Sequence, residues 1–165
     1  MDTTDTTPVT EVLAVVNWLT SHSVVYQING GWGVDALVGR QTRTHRDLDV
    51  FVDAEFVADL LSWLESRGYI VVEDWLPIRI EMASPQGRVD VHPMKIDADG
   101  NGVQRGFGEN TFLHLAAERT TGSIGGTEVV AASKKHQQQL HEGYELREVD
   151  HHDLAILDQV GVDAQ

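Results

Sequence analysis

The chain has 165 residues, 41% of them hydrophobic, enough to bury one core in a single domain or a domain with a small appendage. It contains no cysteine, which excludes a disulfide framework and a thiolate metal site. Twelve Lys and Arg against 26 Asp and Glu give a formal net charge of -14; this argues against a nucleic-acid partner, since phosphate backbones select basic surfaces, and suits either a plain acidic surface or a cationic small-molecule partner.

The first eight residues, MDTTDTTP, are polar and acidic rather than basic then apolar, and no apolar run reaches membrane-spanning length. A cytoplasmic chain with no membrane partner and a frayed start is the expectation. Thr7-Pro8 followed by Val12, Leu13, Val16 and Leu19 predicts a helix through about Ser21 that covers one face of a sheet. Val24 to Ile28 reads as the first strand, and it delivers Gly30-Gly31 at its carboxyl end. A short helix then packs Trp32, Val34 and Leu37 and closes near Gly39. Asp35, one turn into that helix, either complements the helix dipole or orients a basic residue. Arg40, Arg43, His45 and Arg46 form a basic cluster within an acidic chain. Either they contact a triphosphate, or they are a solvated loop whose arginines pair with Asp35 and Asp47.

The next strand carries two carboxylates. Side chains on a strand alternate, so Asp47, Asp49 and Phe51 share one face while Leu48, Val50 and Val52 take the other. Two carboxylates about 5 Å apart at an effective dielectric of about 20 repel by roughly 3 kcal/mol, a cost that a divalent cation between them reverses. Oxygen ligands of this kind suit Mg2+, whose shell is completed by waters and substrate phosphates. The Gly30-Gly31 turn offers such phosphates bare backbone N–H groups and the positive end of a helix.

Asp53 caps a helix with Phe56, Leu60, Leu61 and Leu64 at helical spacing, ended by Gly68. Tyr69 to Val72 is a strand, and Trp75-Leu76-Pro77 turns the chain. Ile78 to Met82 and Gly87 to His92 make a hairpin around Ser84-Pro85-Gln86-Gly87. In its second arm Arg88, Asp90 and His92 face one side, so a third acid stands on a strand able to lie beside the Asp47 and Asp49 strand. Asp90 otherwise pairs with Arg79 or Arg88. Glu81, on the partner arm, reaches the same side and competes for any basic role. His92 either supports the site from behind or is a hydrogen-bonded structural histidine.

After Pro93, IDADGNGVQRGFG reads as a loop or irregular hairpin; DADGNG lacks the glutamate and flanking helices of a calcium loop. Glu109 to Arg119 is predicted as a helix through Phe112, Leu115 and Ala116. GSIGGTEVV forms a hairpin turn, Ser133 caps a helix ending at Gly143, and Asp150 starts a last helix through Leu154, Leu157 and Val160. His151 and His152 are adjacent and do not face each other, which disfavours zinc.

GGWGVD, then Arg40, then TRTHRDLDV, and more thinly RVDVHP and HEGYELREVD, resemble the nucleotidyltransferases that adenylylate lincosamide and aminoglycoside antibiotics. The resemblance implies an α/β (α+β) nucleotidyltransferase fold, a short mixed β-sheet flanked by helices with a small helical part at the carboxyl end. Residues 1–95 would be the catalytic core and 96–165 an extension packed on it, or the two one continuous domain. It implies transfer of a nucleoside monophosphate, AMP from ATP in the leading reading, to a hydroxyl of a lincosamide- or aminoglycoside-like small molecule. Asp47 and Asp49 would hold Mg2+ on the triphosphate, and Asp90, the matching third acid, would ligate a second Mg2+ or take the acceptor's proton, its pKa raised by the other two. Gly30 and Gly31 would bind phosphates, Arg40, Arg43 and His45 would add positive charge, and His141 and Tyr144 would contact substrate or pack locally. A second copy of the chain would wall off the acceptor pocket. Three readings stand beside this one, a toxin-like relative modifying a protein or tRNA, a nucleotide-binding module without turnover, and a plain structural or interaction domain.

Overall fold

The computed structural model describes residues 2–161, and through the first hairpin its elements follow the apolar periodicity of the chain. Helix α1 (Val9–Ser21) buries Val12, Val15, Val16 and Leu19 as one stripe. Strand β1 (Tyr26–Asn29) runs directly into α2 (Gly30–Val38), which Gly39 closes in the left-handed region. Strand β2 (Leu48–Asp53) follows the basic loop, and the Asp53 carboxylate accepts a hydrogen bond from the Glu55 N–H to open a short 3-10 turn leading into α3 (Val57–Ser66). Strands β3 (Ile70–Trp75), β4 (Arg79–Ala83) and β5 (Arg88–Ile96) form consecutive antiparallel pairs.

The second half supplies β6 (Gly102–Arg105), β7 (Thr111–His114), β8 (Arg119–Ile124), β9 (Thr127–Ala132), α4 (Lys134–Leu140) and α5 (Glu148–Leu157). The sheet runs β3-β4-β5-β2-β1-β9-β8, with the β6–β7 hairpin paired onto the far end of β5. Two neighbours are parallel, β2 with β5 and β1 with β9; the rest are antiparallel. This is the open mixed α/β sheet expected. One face, carrying Leu48, Val50, Val52, Ile80, Met82, Val89 and Val91, packs with α1 and α3 into the main core. A smaller cluster of Val34, Ile156 and Leu157 fastens α5 to α2.

Two expectations are corrected. Residues 111–114 are a strand rather than part of a helix over 109–119, and only Ala116–Glu118 makes a 3-10 turn. The helical spacing of Phe112, Leu115 and Ala116 loses to pairing with β6, which sinks His114 into a hydrogen bond with His136 at 2.8 Å. The amino-terminal segment is also not frayed at Thr7. Thr7 is buried; its N–H donates to the His45 carbonyl at 2.8 Å, and its hydroxyl donates to Arg46 O and accepts from the Arg88 N–H. It laces the basic loop to β5.

Candidate active site

Register assembles the site. Across four adjacent ladders the chain pairs Glu73 with Glu81, Glu81 with Asp90, Asp90 with Asp49 and Asp49 with Asn29. Side chains in register on neighbouring strands project to the same face, so four carboxylates and an amide stand in one row. Like charges this close must be compensated. Arg79 spans Glu73 (3.0 Å) and Asp90 (3.1 Å), Arg46 spans Glu81 (2.9 Å) and Asp47 (3.2 Å), and the His92 Nε2–H donates to Asp49 at 3.3 Å with Asp90 at 3.5 Å. Among the described residues, Asp49 has no guanidinium partner.

The titration of the row reflects these neighbours. Asp47, just ahead of β2, is pushed up to about 7, first by burial and then by Asp49 and Asp90. Burial would raise Asp90 too, but His92 and Arg79 outweigh it and hold the carboxyl below its ordinary value. The expectation of a raised Asp90 is therefore wrong: the elevated acid is Asp47, whose ion-pair partner among the described residues is the half-exposed Arg46. Burial works against the charge of His92, yet Asp49 and Asp90 push its pKa up to about 9.

A ligand atom each from Asp49, Asp90 and His92 lie within 4.8 Å of one another. Hard carboxylate oxygens of Asp49 and Asp90 fit a divalent cation, with His92 donating to both; Asp47 is not one of this close group and stands with Asp49 at the cavity.

Asp47 and Asp49 open into a cavity of about 470 Å³ at the start of α2. There glycine is required by close approach. A Cβ on Gly30, whose φ is 65°, would run into the Asp49 carboxylate, and one on Gly31 would run into Arg43 Nη2 and His45 Nδ1. The space so kept open is bordered by the helix N-terminus and by His45 Nδ1, a buried nitrogen without a partner; Asn29 Nδ2 is buried and unpartnered as well. An anion with several oxygens fits such a cradle.

The structure brings Gly30, Gly31, Arg43, His45, Asp47 and Asp49 together at this cavity, with His141 and Tyr144 on the opposite wall. Arg43 grips Asp153 with two parallel hydrogen bonds of 3.0 and 2.9 Å. Arg40 stands apart: Gly39 turns it away, and its guanidinium donates to Gln159. Glu81 is held by Arg46 one strand beyond Asp90. His141 is tied to the Gln137 carbonyl and lies 3.6 Å from Asp150, whereas Tyr144 is 48% exposed. Asn29, Arg147, Asp150 and Asp153 were not foreseen. Asn29, at the strand end before the glycine pair, was findable; the others reach the cavity only because α5 docks on α2.

A family model described as aminoglycoside-2''-adenylyltransferase matches residues 11–157. The chain belongs to that family. It is 30% identical to a lincosamide resistance protein of Staphylococcus haemolyticus over 151 residues, 91% of this chain and 94% of that one. A 2''-aminoglycoside nucleotidyltransferase of Klebsiella pneumoniae is 35% identical over 74 residues, 45% of this chain and 40% of that protein. The crystal structure of the lincosamide antibiotic adenylyltransferase LnuA with lincomycin bound superposes with a TM-score of 0.87 at 29% identity, covering 94% of this chain and 99% of that chain. ANT(2'')-Ia in complex with adenylyl-2''-tobramycin shares the fold, with a TM-score of 0.69 at 18% identity over 94% of this chain and 90% of that one. This member of the family is thus a nucleotidyltransferase, and its glycine pair and acid row lie within the matched span.

Proposed function

We propose that this adenylyltransferase-family member moves AMP from ATP to a hydroxyl of a lincosamide-like antibiotic, with aminoglycosides as the second acceptor class. The observation that carries the reading is Asp49 in register with Asp90 beside the Gly30-Gly31 cavity. The lincosamide preference is supported by the resistance protein alignment, which runs nearly end to end, whereas the aminoglycoside alignment stops at under half of either chain.

Asp47, Asp49 and Asp90 would hold Mg2+, a pair of ions in the fullest form, which when bound neutralises charge on the triphosphate. The N–H groups of Gly30 and Gly31, with Arg43 and His45, would hold the β and γ phosphates in line for displacement of pyrophosphate. The acceptor oxygen bonds to the α phosphorus as the bond to the pyrophosphate oxygen breaks, and the acceptor's proton passes to a carboxylate. Asp90 takes that proton rather than Glu81, because Asp90 lies in register beside Asp49, while Glu81 is one strand further away under Arg46 at 2.9 Å. His92 steadies both carboxylates, and Tyr144 and His141 border the acceptor.

The chain would act as one continuous unit in the cytoplasm, where ATP is available. Support comes from β9, which joins residues 96–165 to the sheet of 1–95 beside β1, and no described helix is long and apolar enough to cross a membrane. Two copies would pair; exposed Ile70, Val71, Trp75, Phe107 and Phe112 give an apolar surface for it, and sedimentation would test it. The deciding experiment incubates the protein with ATP, Mg2+ and lincosamide or aminoglycoside, following pyrophosphate release and the mass of the drug. Antibiotic-dependent pyrophosphate with an adenylylated drug is the expected result. ATP binding without turnover on any acceptor would leave only a nucleotide-binding module.

A further inference from the structure

Thr7 sits where α1, the basic loop and β5 meet. The residue before a proline is biased to extended backbone, and Pro8 opens α1, whose stripe of Val12, Val16 and Leu19 is buried, so Thr7 is pinned just outside an anchored helix. It is 1% exposed, and every polar group it has is used. Its N–H donates to the His45 carbonyl at 2.8 Å, and its own carbonyl accepts from Trp32 Nε1 at 3.1 Å. Its hydroxyl accepts from the Arg88 N–H at 2.8 Å and donates to Arg46 O at 2.8 Å, with Arg88 O a second acceptor at 3.2 Å.

These bonds converge ahead of Asp47. The β2–β5 ladder starts at Leu48 opposite Val89. Just before it, Arg46 O and the Arg88 N–H are joined through the Thr7 oxygen rather than to each other. A direct rung spans about 2.9 Å, so two bonds in series hold the strands wider apart at this end. The peptides on both sides of Arg46 are gripped, and the second of them leads into Asp47. The side chain of Asp47 has a looser tether, since its ion-pair partner Arg46 is 53% exposed. Asp47 correspondingly stands outside the close group of Asp49, Asp90 and His92.

We propose that Thr7 is a positioning residue for the cation site: its hydroxyl, inserted between β2 and β5, holds the start of β2 away from β5 and so fixes where the Asp47 carboxylate stands relative to Asp49 and Asp90. This rests on the reading of Asp47 as a Mg2+ ligand. Thr7 touches neither cation nor substrate and acts only through the backbone from His45 to Asp47. The place asks for a donor and an acceptor on one atom; serine supplies both, and valine, of nearly the same shape as threonine, supplies neither.

The test uses Mn2+ as the probe, counting the free ion by electron paramagnetic resonance with the nucleotide-free full chain. Thr7→Val should weaken Mn2+ binding about tenfold, the worth of roughly one hydrogen bond, while Thr7→Ser stays within about twofold of the parent. In an Asp47→Asn background Thr7→Val should do nothing further, because a residue that acts through another is silent once that other is gone. Tyr69→Phe is the control for stability alone. It removes a buried bond to Glu11 on α1 at 2.8 Å, and should lower the melting temperature without changing Mn2+ affinity.

If Thr7→Val binds Mn2+ like the parent while Asp47→Asn does not, if serine fares no better than valine, or if Tyr69→Phe weakens binding as much, Thr7 merely stabilises the fold and the proposal is overturned. If the parent binds no Mn2+, or Asp47→Asn binds it equally well, the metal reading of Asp47 falls, and this inference with it. Should Thr7→Val fail to fold, the unmodified protein still decides. An NMR scalar coupling through a direct bond from the Arg88 N–H to Arg46 O would place no hydroxyl between the strands and overturn the proposal; an Arg88 amide protected from exchange without that coupling is the expected result.

Discussion

The two walls of the cavity are built by different means. On the sheet wall, Asp49 is fixed by its ladder register with Asp90 behind it, with Leu48, Val50, Val89 and Val91 sealed beneath them. On the α4–α5 wall, Leu140, Tyr144 and Val149 are exposed, and positions depend on side-chain pairs such as Arg43 with Asp153 and Arg147 with Asp150. Backbone pairing in a close-packed layer leaves carboxylates little freedom, whereas a wall hung on side chains adjusts. On the function proposed above, shared chemistry would belong to the rigid wall and choice of acceptor to the adaptable one.

The largest test strikes the rigid wall. Asp49→Asn or Asp47→Asn should lower turnover by at least about 10^3-fold, since a lost cation ligand forfeits several kcal/mol of charge stabilisation. Each should leave circular dichroism and melting temperature intact or improved, because each removes repulsion rather than packing. Activity within tenfold of the parent would sink the metal assignment.

Next comes the glycine cradle. Gly31→Ala drives a Cβ into Arg43 and His45, and turnover should fall roughly 10^2-fold, as when a positioned donor to a reacting anion is lost. Unchanged ATP affinity in this variant would move the phosphates elsewhere.

The two halves also answer pH with opposite signs. Asp47 is raised in the folded chain, so the stability it contributes is full below the ordinary carboxylate value near 4 and lost as pH climbs to about 7. His114, buried against His136 in the β6–β7 half, is lowered to about 4, first by burial and then by the charges of its neighbours. Its contribution is full above 6.5 and lost as pH falls toward 4. Each effect is worth roughly a few kcal/mol. Melting curves in EDTA should therefore show Asp47→Asn flattening the loss on the alkaline side, and His114→Gln flattening the loss on the acid side. Mg2+ should abolish the first effect and spare the second.

The smallest effect belongs to the adaptable wall. Tyr144→Ala should raise KM for the acceptor about fivefold, roughly 1 kcal/mol, while KM for ATP stays put. An equal rise in both would deny that this wall serves the acceptor alone.

Much of the site was legible in the chain itself. Asp47 and Asp49 at alternate positions, the glycine pair before a helix, and Asp90 on a hairpin arm are local patterns, governed by strand alternation and turn chemistry. Arg40 misled because a basic cluster in sequence says nothing of which way Gly39 sends the next side chain. The titration was misassigned between Asp47 and Asp90 because Arg79 and His92, both placed near Asp90 by the sequence, outweigh its burial only at the side-chain distances the fold sets.

By itself the sequence determined the helices α1 to α3, strands β1 to β5 and the three acids, because periodicity and caps act within a few residues. Only the tertiary structure decided that 111–114 is a strand, that β9 lies parallel to β1, and that Asp153 and His152 clamp the basic loop. Those outcomes depend on partners up to 110 residues away along the chain, whose packing outweighs local preference.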